Sequence, residues 1–229
     1  LNKQKNMRKL NDFDKSYNTI FQNCDKKHRK GQKYKLKIEY EKYLDTENYF
    51  NFQDFYTWIS EKDYMKTFVE VGVWKGHSVC YLGDKLRHKL NQQDVNLYAI
   101  DLFDETYKYE DNPHILKQKP HLYDIFKKNV KNADLTDKIK DIKSCSWDAA
   151  SKFKNQSVDF LFIDADHSYE SVIKDITAWM PKMKFPSATS PGGIISGHDY
   201  YNPCGVKQAV DESFGSRVKH MGAAWYVEL

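Results

Sequence analysis

The sequence predicts a doubly wound α/β domain, a mostly parallel sheet covered by helices on both faces, with a helical extension at the N-terminus. Three observations predict it. From residue 66 onward, short and continuously apolar runs alternate with amphipathic segments at helical spacing, the pattern of strands buried on both faces. The first apolar run leads into a paired-glycine turn, Gly72 and Gly76, that opens a helix. Two later runs stop at acidic residues, Asp101 and Asp164, and the carboxyl ends of the strands are where such sheets bind ligands.

The elements follow in order. Residues 1–35 are polar, Lys/Asn-rich and weakly periodic, and read as an exposed helical arm; the boundary with the domain is placed at residues 50/51. Between 36 and 62 aromatics accumulate, and Tyr49, Phe52, Phe55/Tyr56 and Ile59 recur at three-to-four spacing, an amphipathic helix. Thr67–Val71 is the first strand, and 77–90 a helix with Val79, Leu82 and Leu86 on one face. Asn96–Ile100 is the second strand, 121–132 a helix, and Ile139–Cys145 the third strand. Val158–Ile163 is the fourth strand, and 168–183 a helix with Val172, Ile173, Ile176, Trp179 and Met180 inward. A Pro/Ser/Thr-rich loop at 185–191 precedes a fifth strand at 193–196. A short helix at 204–214 and two strand-like runs, 217–221 and 224–229, close the chain.

Composition narrows the function. The chain has 229 residues, 40% hydrophobic and 30% charged, ordinary for one globular domain. No apolar run approaches the ~20 residues that span a bilayer, and no signal-peptide pattern is present, so a cytoplasmic protein without a membrane partner is expected. The chain begins at Leu1 rather than Met, which leaves open a domain of a longer multidomain protein; a homo-oligomer is equally open. Cys24, Cys80, Cys145 and Cys204 lie far apart with no CxxC pair, and read as free thiols. Residues 1–50 hold 13 Lys/Arg against 7 Asp/Glu, the rest 23 against 25. The basic excess, centred on Lys26-Lys27-His28-Arg29-Lys30, therefore belongs to the arm, and reads as a solvated face before a phosphate-binding one.

The chemistry concentrates at the strand ends. In Glu70-Val71-Gly72-Val73-Trp74-Lys75-Gly76-His77-Ser78, Gly72 allows a sharp turn close to a ligand and Gly76 a close helix start. Ser78 is placed to bond a carboxylate at the helix N-terminus. The glycine spacing is GxxxG rather than GxGxxG, which disfavours a nicotinamide dinucleotide. Asp101, at the end of the next strand, suits the two hydroxyls of a ribose.

These strings, with Ser144-Cys145-Ser146-Trp147-Asp148, Phe162-Ile163-Asp164-Ala165-Asp166-His167 and Gly192-Gly193-Ile194-Ile195-Ser196-Gly197-His198-Asp199-Tyr200, resemble the small class I S-adenosylmethionine-dependent O-methyltransferases over roughly residues 50–229. The resemblance is to the catechol and caffeoyl-CoA group, and closer to the macrocin and rhamnosyl sugar O-methyltransferases. It implies a Rossmann-like sheet with an antiparallel last strand, and S-adenosyl-L-methionine as cofactor. Glu70, Gly72, Gly76 and Ser78 would hold its methionine part, Asp101 its ribose, Ser146 and Trp147 its adenine, with Asp164 beside it. It also implies a divalent cation, Mg²⁺ or Mn²⁺, on Asp164 and Asp199. The third ligand departs from the family's pattern, and His198 is the candidate. His167 would be the general base, with Asp166 beside it as the second catalytic candidate.

The acceptor read from these strings is a small molecule or glycan, a sugar hydroxyl before a catechol. A nucleic-acid methyltransferase finds support only in the basic arm: Tyr201-Asn202-Pro203-Cys204 lacks the second proline and aromatic of a flipped-base motif. A non-catalytic module on the same fold is disfavoured by the intact acidic strings.

Overall fold

A computed structural model of the chain describes residues 50–103, 121–201 and 205–229. The basic arm, Tyr49, the rim residues 104–120, and Asn202 through Cys204 lie outside them.

The first described helix, α1 (Gln53–Ser60), buries Phe55, Tyr56 and Ile59, the stripe that the aromatic spacing predicts. Seven strands follow: β1 (Thr67–Val71), β2 (Asn96–Asp101), β3 (Ile139–Lys143), β4 (Phe160–Ile163), β5 (Ile194–Gly197), β6 (Lys219–Met221) and β7 (Ala224–Glu228). They form one sheet in the order β3-β2-β1-β4-β5-β7-β6. The pairs β1/β2, β2/β3, β1/β4 and β4/β5 are parallel, and β7 runs antiparallel to both of its neighbours. This is the doubly wound sheet with a reversed last strand that the sequence predicts.

The connecting helices are α2 (His77–Lys85), α3 (Arg87–Asn91), α4 (Leu122–Asn132), α5 (Ser146–Ala150), α6 (Tyr169–Trp179) and α7 (Val206–Phe214). The strand period of two sends alternate residues to opposite faces. Val69, Val71, Ile100, Leu161, Ile163 and Ile195 pack with residues of α6 and α7. The other face meets α1, where Phe55 packs on Phe160 and Phe162, and Phe52 stacks on Phe162 at 4.6 Å. Glu70 falls on this second face and is almost wholly buried.

Several boundaries differ from the sequence reading, three of them with consequences for the fold. The helix expected over 77–90 breaks at Leu86 into α2 and α3. The helix expected to reach 183 ends at Trp179 and continues as a 3-10 turn over Met180–Lys182, since Pro181 has no N–H to extend the α ladder. The third strand stops at Lys143, and Cys145 instead caps the five-residue α5.

The sheet's order reverses between β1 and β4. There Val71 pairs with both Ile100 and Ile163, so the three strands end flush and Gly72, Asp101 and Asp164 emerge side by side. At the opposite end Asp159 Oδ2 accepts the N–H groups of Lys66 and Thr67 at 2.9 and 2.8 Å, and Lys184 Nζ lies 2.8 Å from Oδ1. That carboxylate ties the start of β1 to β4. Among the described residues no helix is long and apolar enough to cross a membrane.

Candidate active site

A cleft opens at the flush strand ends, lined by Gly72, Trp74, Asp101, Ser146, Trp147, Asp164, Asp166 and Asp175 among others. Gly72 and Gly76 both adopt φ +84°, a region that side chains rarely enter. Their lack of Cβ serves packing: at Gly72 it would meet the Asp164 carbonyl oxygen at 2.0 Å, and at Gly76 the Phe126 ring at 2.8 Å. The two glycines let β1 lie against β4 and α2 against α4, rather than clearing space for a ligand directly.

Ser78 bonds a carboxylate of the protein itself. Its hydroxyl donates to Glu70 Oε1, so its single proton is unavailable for a cofactor carboxylate. Burial pushes the Glu70 carboxyl up to about 8, against the hydrogen bond from Ser78 and the nearby Tyr56 hydroxyl; the Asp164 and Asp101 charges push it further up. The second carboxyl oxygen, Oε2, is buried without a hydrogen-bond partner of normal geometry, and so is the Tyr56 hydroxyl facing it.

Asp101 is built into the turn. Its Oδ2 accepts the Trp74 N–H and its Oδ1 the Phe103 N–H, each at 2.9 Å. Burial raises its pKa, and the backbone N–H groups of Phe103, Trp74 and Leu102 offset part of the rise. Each oxygen keeps a lone pair for a further donor. Across the cleft, Ser146 begins α5 and accepts Trp179 Nε1–H at 2.9 Å. Trp147 carries the Lys174 ammonium over one ring face, 3.6 Å from the centroid. The same side chain lines the cleft.

The polar cluster lies beyond β4 and β5. His167 Nε2 sits 3.3 Å from Asp164 Oδ1 and 3.3 Å from Asp199 Oδ2. Asp199 holds φ +53°, a left-handed position that aspartate enters more readily than most residues with a side chain. Asp164, His167 and Asp199 each present one ligand atom, all within 4.8 Å of one another. Two carboxylates and an imidazole are a donor set that fits a divalent cation. His198, the expected third ligand, stands outside that trio. Its Nδ1 lies 3.4 Å from Asp199 Oδ2 and 3.7 Å from Asp164 Oδ1, while Nε2 is hydrogen-bonded to Asn51 Oδ1 at 2.9 Å. Burial lowers both imidazole pKa values, but the neighbouring carboxylates outweigh it and hold both above the ordinary histidine range. Asp166 lines the cleft, yet its Oδ1 accepts the Ser168 N–H at 2.7 Å; Ser168 caps α6.

Tyr56, Trp74 and Asp175 complete the site and were not singled out from the sequence. Trp74 sits inside the paired-glycine turn, and Tyr56 in the aromatic stripe. Asp175 falls between Val172, Ile176 and Trp179, so a carboxyl on the apolar face of a helix was the available signal. Burial pushes it up to about 7, against the Ser146 hydroxyl; Asp166 pushes up and Lys174 down. Its Oδ1 is buried with no partner.

The methyltransferase domain family matches residues 69–200, more than half of the chain. A search of curated proteins found no match. Among solved structures, the O-methyltransferase NovP is similar at TM-score 0.59 and 20% identity, over 77% of this chain and 78% of that one. CalS11, a TDP-rhamnose 3'-O-methyltransferase of calicheamicin biosynthesis, follows at 0.52 and 13%, over 77% and 76%. An O-methyltransferase from Bacillus cereus in complex with SAH gives 0.51 and 15%, over 77% and 80%. At these identities the likeness is one of fold, and the fold is the class I methyltransferase fold.

Proposed function

The chain belongs to the methyltransferase domain family, and from that premise we propose that it transfers a methyl group from S-adenosylmethionine to an oxygen, with a sugar hydroxyl as the acceptor. One observation carries this reading: Asp101, Trp147 and Asp164 line a single cleft at the strand ends, beside the turn of Gly72.

Asp101 and Asp164 line the cleft with carboxylate acceptors and Ser144 and Trp74 with donors, which suits a ligand that brings both donors and acceptors. Asp101, fixed by two backbone donors, would accept the ribose hydroxyls. Trp147 would stack on the base. Glu70 would face the amino group of the methionine part, with the Ser78 hydroxyl holding the Glu70 carboxyl in place. When bound, the donor supplies a methyl group on a sulfonium sulfur, released by direct displacement. The protein must then align the acceptor oxygen and take its proton. His167 Nε2 would take the proton of the acceptor hydroxyl as the methyl group leaves its sulfur for that oxygen, with Asp166 the second candidate for the base.

Asp164 and Asp199 would hold a divalent cation, with His167 or His198 as third ligand, and such a cation lowers the pKa of a hydroxyl and orients it. A single nitrogen cannot ligate a cation and collect a proton together. His167 Nε2, between the two carboxylates, therefore has one of the two roles. The sugar reading draws support from CalS11, whose substrate is a TDP-rhamnose, and from the exposed Tyr201 beside Asp199. A donor-turnover screen against sugars, catechols and nucleic acids, with and without EDTA, tests it. Turnover with sugars is expected. Turnover with nucleic acid alone would replace the reading, and no binding of S-adenosylmethionine would leave a non-catalytic module.

A further inference from the structure

His198 follows the last residue of β5 and is held from four sides. Its backbone N–H donates to the Ile163 carbonyl at 3.2 Å, and its own carbonyl accepts Trp225 Nε1–H at 3.2 Å. The Phe52 ring centroid lies 5.1 Å from that of the imidazole, and Nε2 meets Asn51 Oδ1 at 2.9 Å. An amide oxygen only accepts, so Nε2 carries the hydrogen and the lone pair of the neutral ring is at Nδ1. That atom faces Asp199 Oδ2 at 3.4 Å and Asp164 Oδ1 at 3.7 Å. Both gaps are longer than the ~2.7–2.9 Å of an ionic N–H···O bond. They are close to the spacing of atoms that share a cation: ligands about 2.0–2.2 Å from the ion, at right or tetrahedral angles, lie roughly 3.0–3.6 Å apart.

We propose that His198 Nδ1 is a ligand of the cation, positioned by Asn51, and that the site therefore takes Mn²⁺ and the later first-row divalent metals in preference to Mg²⁺. The proposal rests on the reading above that Asp164 and Asp199 hold a cation. Imidazole nitrogen suits transition metals, whereas Mg²⁺ keeps to oxygen ligands and water. A nitrogen in the set thus separates cations that two carboxylates alone would treat more alike. Asn51 fixes the tautomer that turns the lone pair inward, the part that hydrogen-bond partners of ligating histidines play. With His198 as the nitrogen ligand, His167 Nε2 is left for the acceptor proton, and the two histidines divide the two roles.

The test is calorimetric titration of the full 229-residue chain with Mn²⁺ and with Mg²⁺. Pulsed electron paramagnetic resonance of the Mn²⁺-loaded protein accompanies it and detects a directly bonded nitrogen by its hyperfine coupling. Wild type is expected to bind Mn²⁺ at least about 100-fold tighter than Mg²⁺ and to show the nitrogen coupling. His198→Asp, which makes the set all-oxygen, loses the coupling and lowers the ratio by about 10-fold or more; His167→Ala keeps the coupling. Asn51 is exposed, and Asn51→Ala weakens Mn²⁺ by about 10-fold while Mg²⁺ stays within about 3-fold. Asn51→Asp retains the acceptor and restores Mn²⁺ affinity. The Asn51 pair decides the matter should His198→Asp fail to fold in thermal melting. Bound Mn²⁺ without nitrogen coupling overturns the proposal and leaves the cation in place, as does a coupling that survives His198→Asp and vanishes in His167→Ala. Mn²⁺ affinity untouched in Asn51→Ala overturns it as well. A wild type that binds neither metal overturns this proposal together with the cation reading beneath it.

Discussion

Asp101 is anchored by the Trp74 and Phe103 N–H groups before any ligand arrives, so its geometry does not depend on the cofactor. Asp101→Ala is expected to weaken S-adenosylmethionine binding by at least about 10- to 100-fold, the loss of charge-assisted ribose bonds worth roughly 1.5–3 kcal/mol each, while the protein stays folded. Unchanged affinity by calorimetry would remove the ribose assignment. Glu70 makes a second prediction. Its folded pKa is raised to about 8 from an ordinary 4.5, so between those values the folded state holds a proton that the unfolded state has released. Its contribution to stability is complete below about pH 4.5 and is lost as pH rises toward 8. Glu70→Gln should flatten that decline, read as the difference in urea midpoint between pH 5 and pH 8; parallel profiles for the two proteins would show that Glu70 does not titrate there. The third concerns Asp164, His167 and Asp199. Exhaustive chelation is expected to abolish turnover, and added Mn²⁺ or Mg²⁺ to restore it. Full turnover after chelation would leave His167 as the base with no cation beside it.

At the scale of elements, α1 carries the face of the sheet that holds Glu70. Phe55 is fully buried and packs on Phe160, Phe162 and Tyr226. Phe55→Ala should cost about 3–5 kcal/mol in urea unfolding, and a loss under about 1 kcal/mol would mean that α1 is not part of the cooperative core. This helix was legible because its aromatics recur at helical spacing. So were β1, β2 and β4, continuous apolar runs that no surface strand would carry. What was not legible follows from locality. The five residues of α5 are too few to show a period. The break at Leu86 lies within an unbroken apolar stripe. The Ser78–Glu70 bond joins a helix to a strand across eight residues, and spacing alone pointed Ser78 outward to a ligand. His198 and His167 are a comparable pair. Sequence order sets His198 beside Asp199, but the fold brings His167, from the end of β4, between Asp199 and Asp164, and turns His198 Nε2 to Asn51.

At the scale of the molecule, the reversal of strand order between β1 and β4 dictates where chemistry can occur, because only there do two strand ends diverge and leave a crevice. Asp164 belongs both to the cleft and to the Asp164–His167–Asp199 cluster, so under the proposed reading the acceptor approaches from the side of β4 and β5. The described surface on that side is aromatic. Tyr201, 80% exposed, lies 5.9 Å from the His220 ring at an interplanar angle of 22°, and Tyr200 meets both edge-on. A broad ring with a polar tip stacks on the apolar face of a sugar and bonds its hydroxyls; the remaining rim residues that suggested a carbohydrate, Tyr107, Tyr109, Asn112, His114 and Asn202, lie outside the described residues. The charge distribution is neutral on the matter, since the surplus of Lys and Arg sits in residues 1–50. In a competition between rhamnose-type glycosides and catechols for methyl transfer, read by mass spectrometry, methylated sugar should dominate. Tyr201→Ala should then raise KM for the glycoside severalfold with little change in kcat, because a stacking platform contributes to binding rather than to displacement. Methylation confined to the catechols would remove the sugar acceptor and leave the O-methyl transfer in place. A Tyr201→Ala enzyme that loses kcat and keeps KM would move Tyr201 from the acceptor platform to the reacting centre.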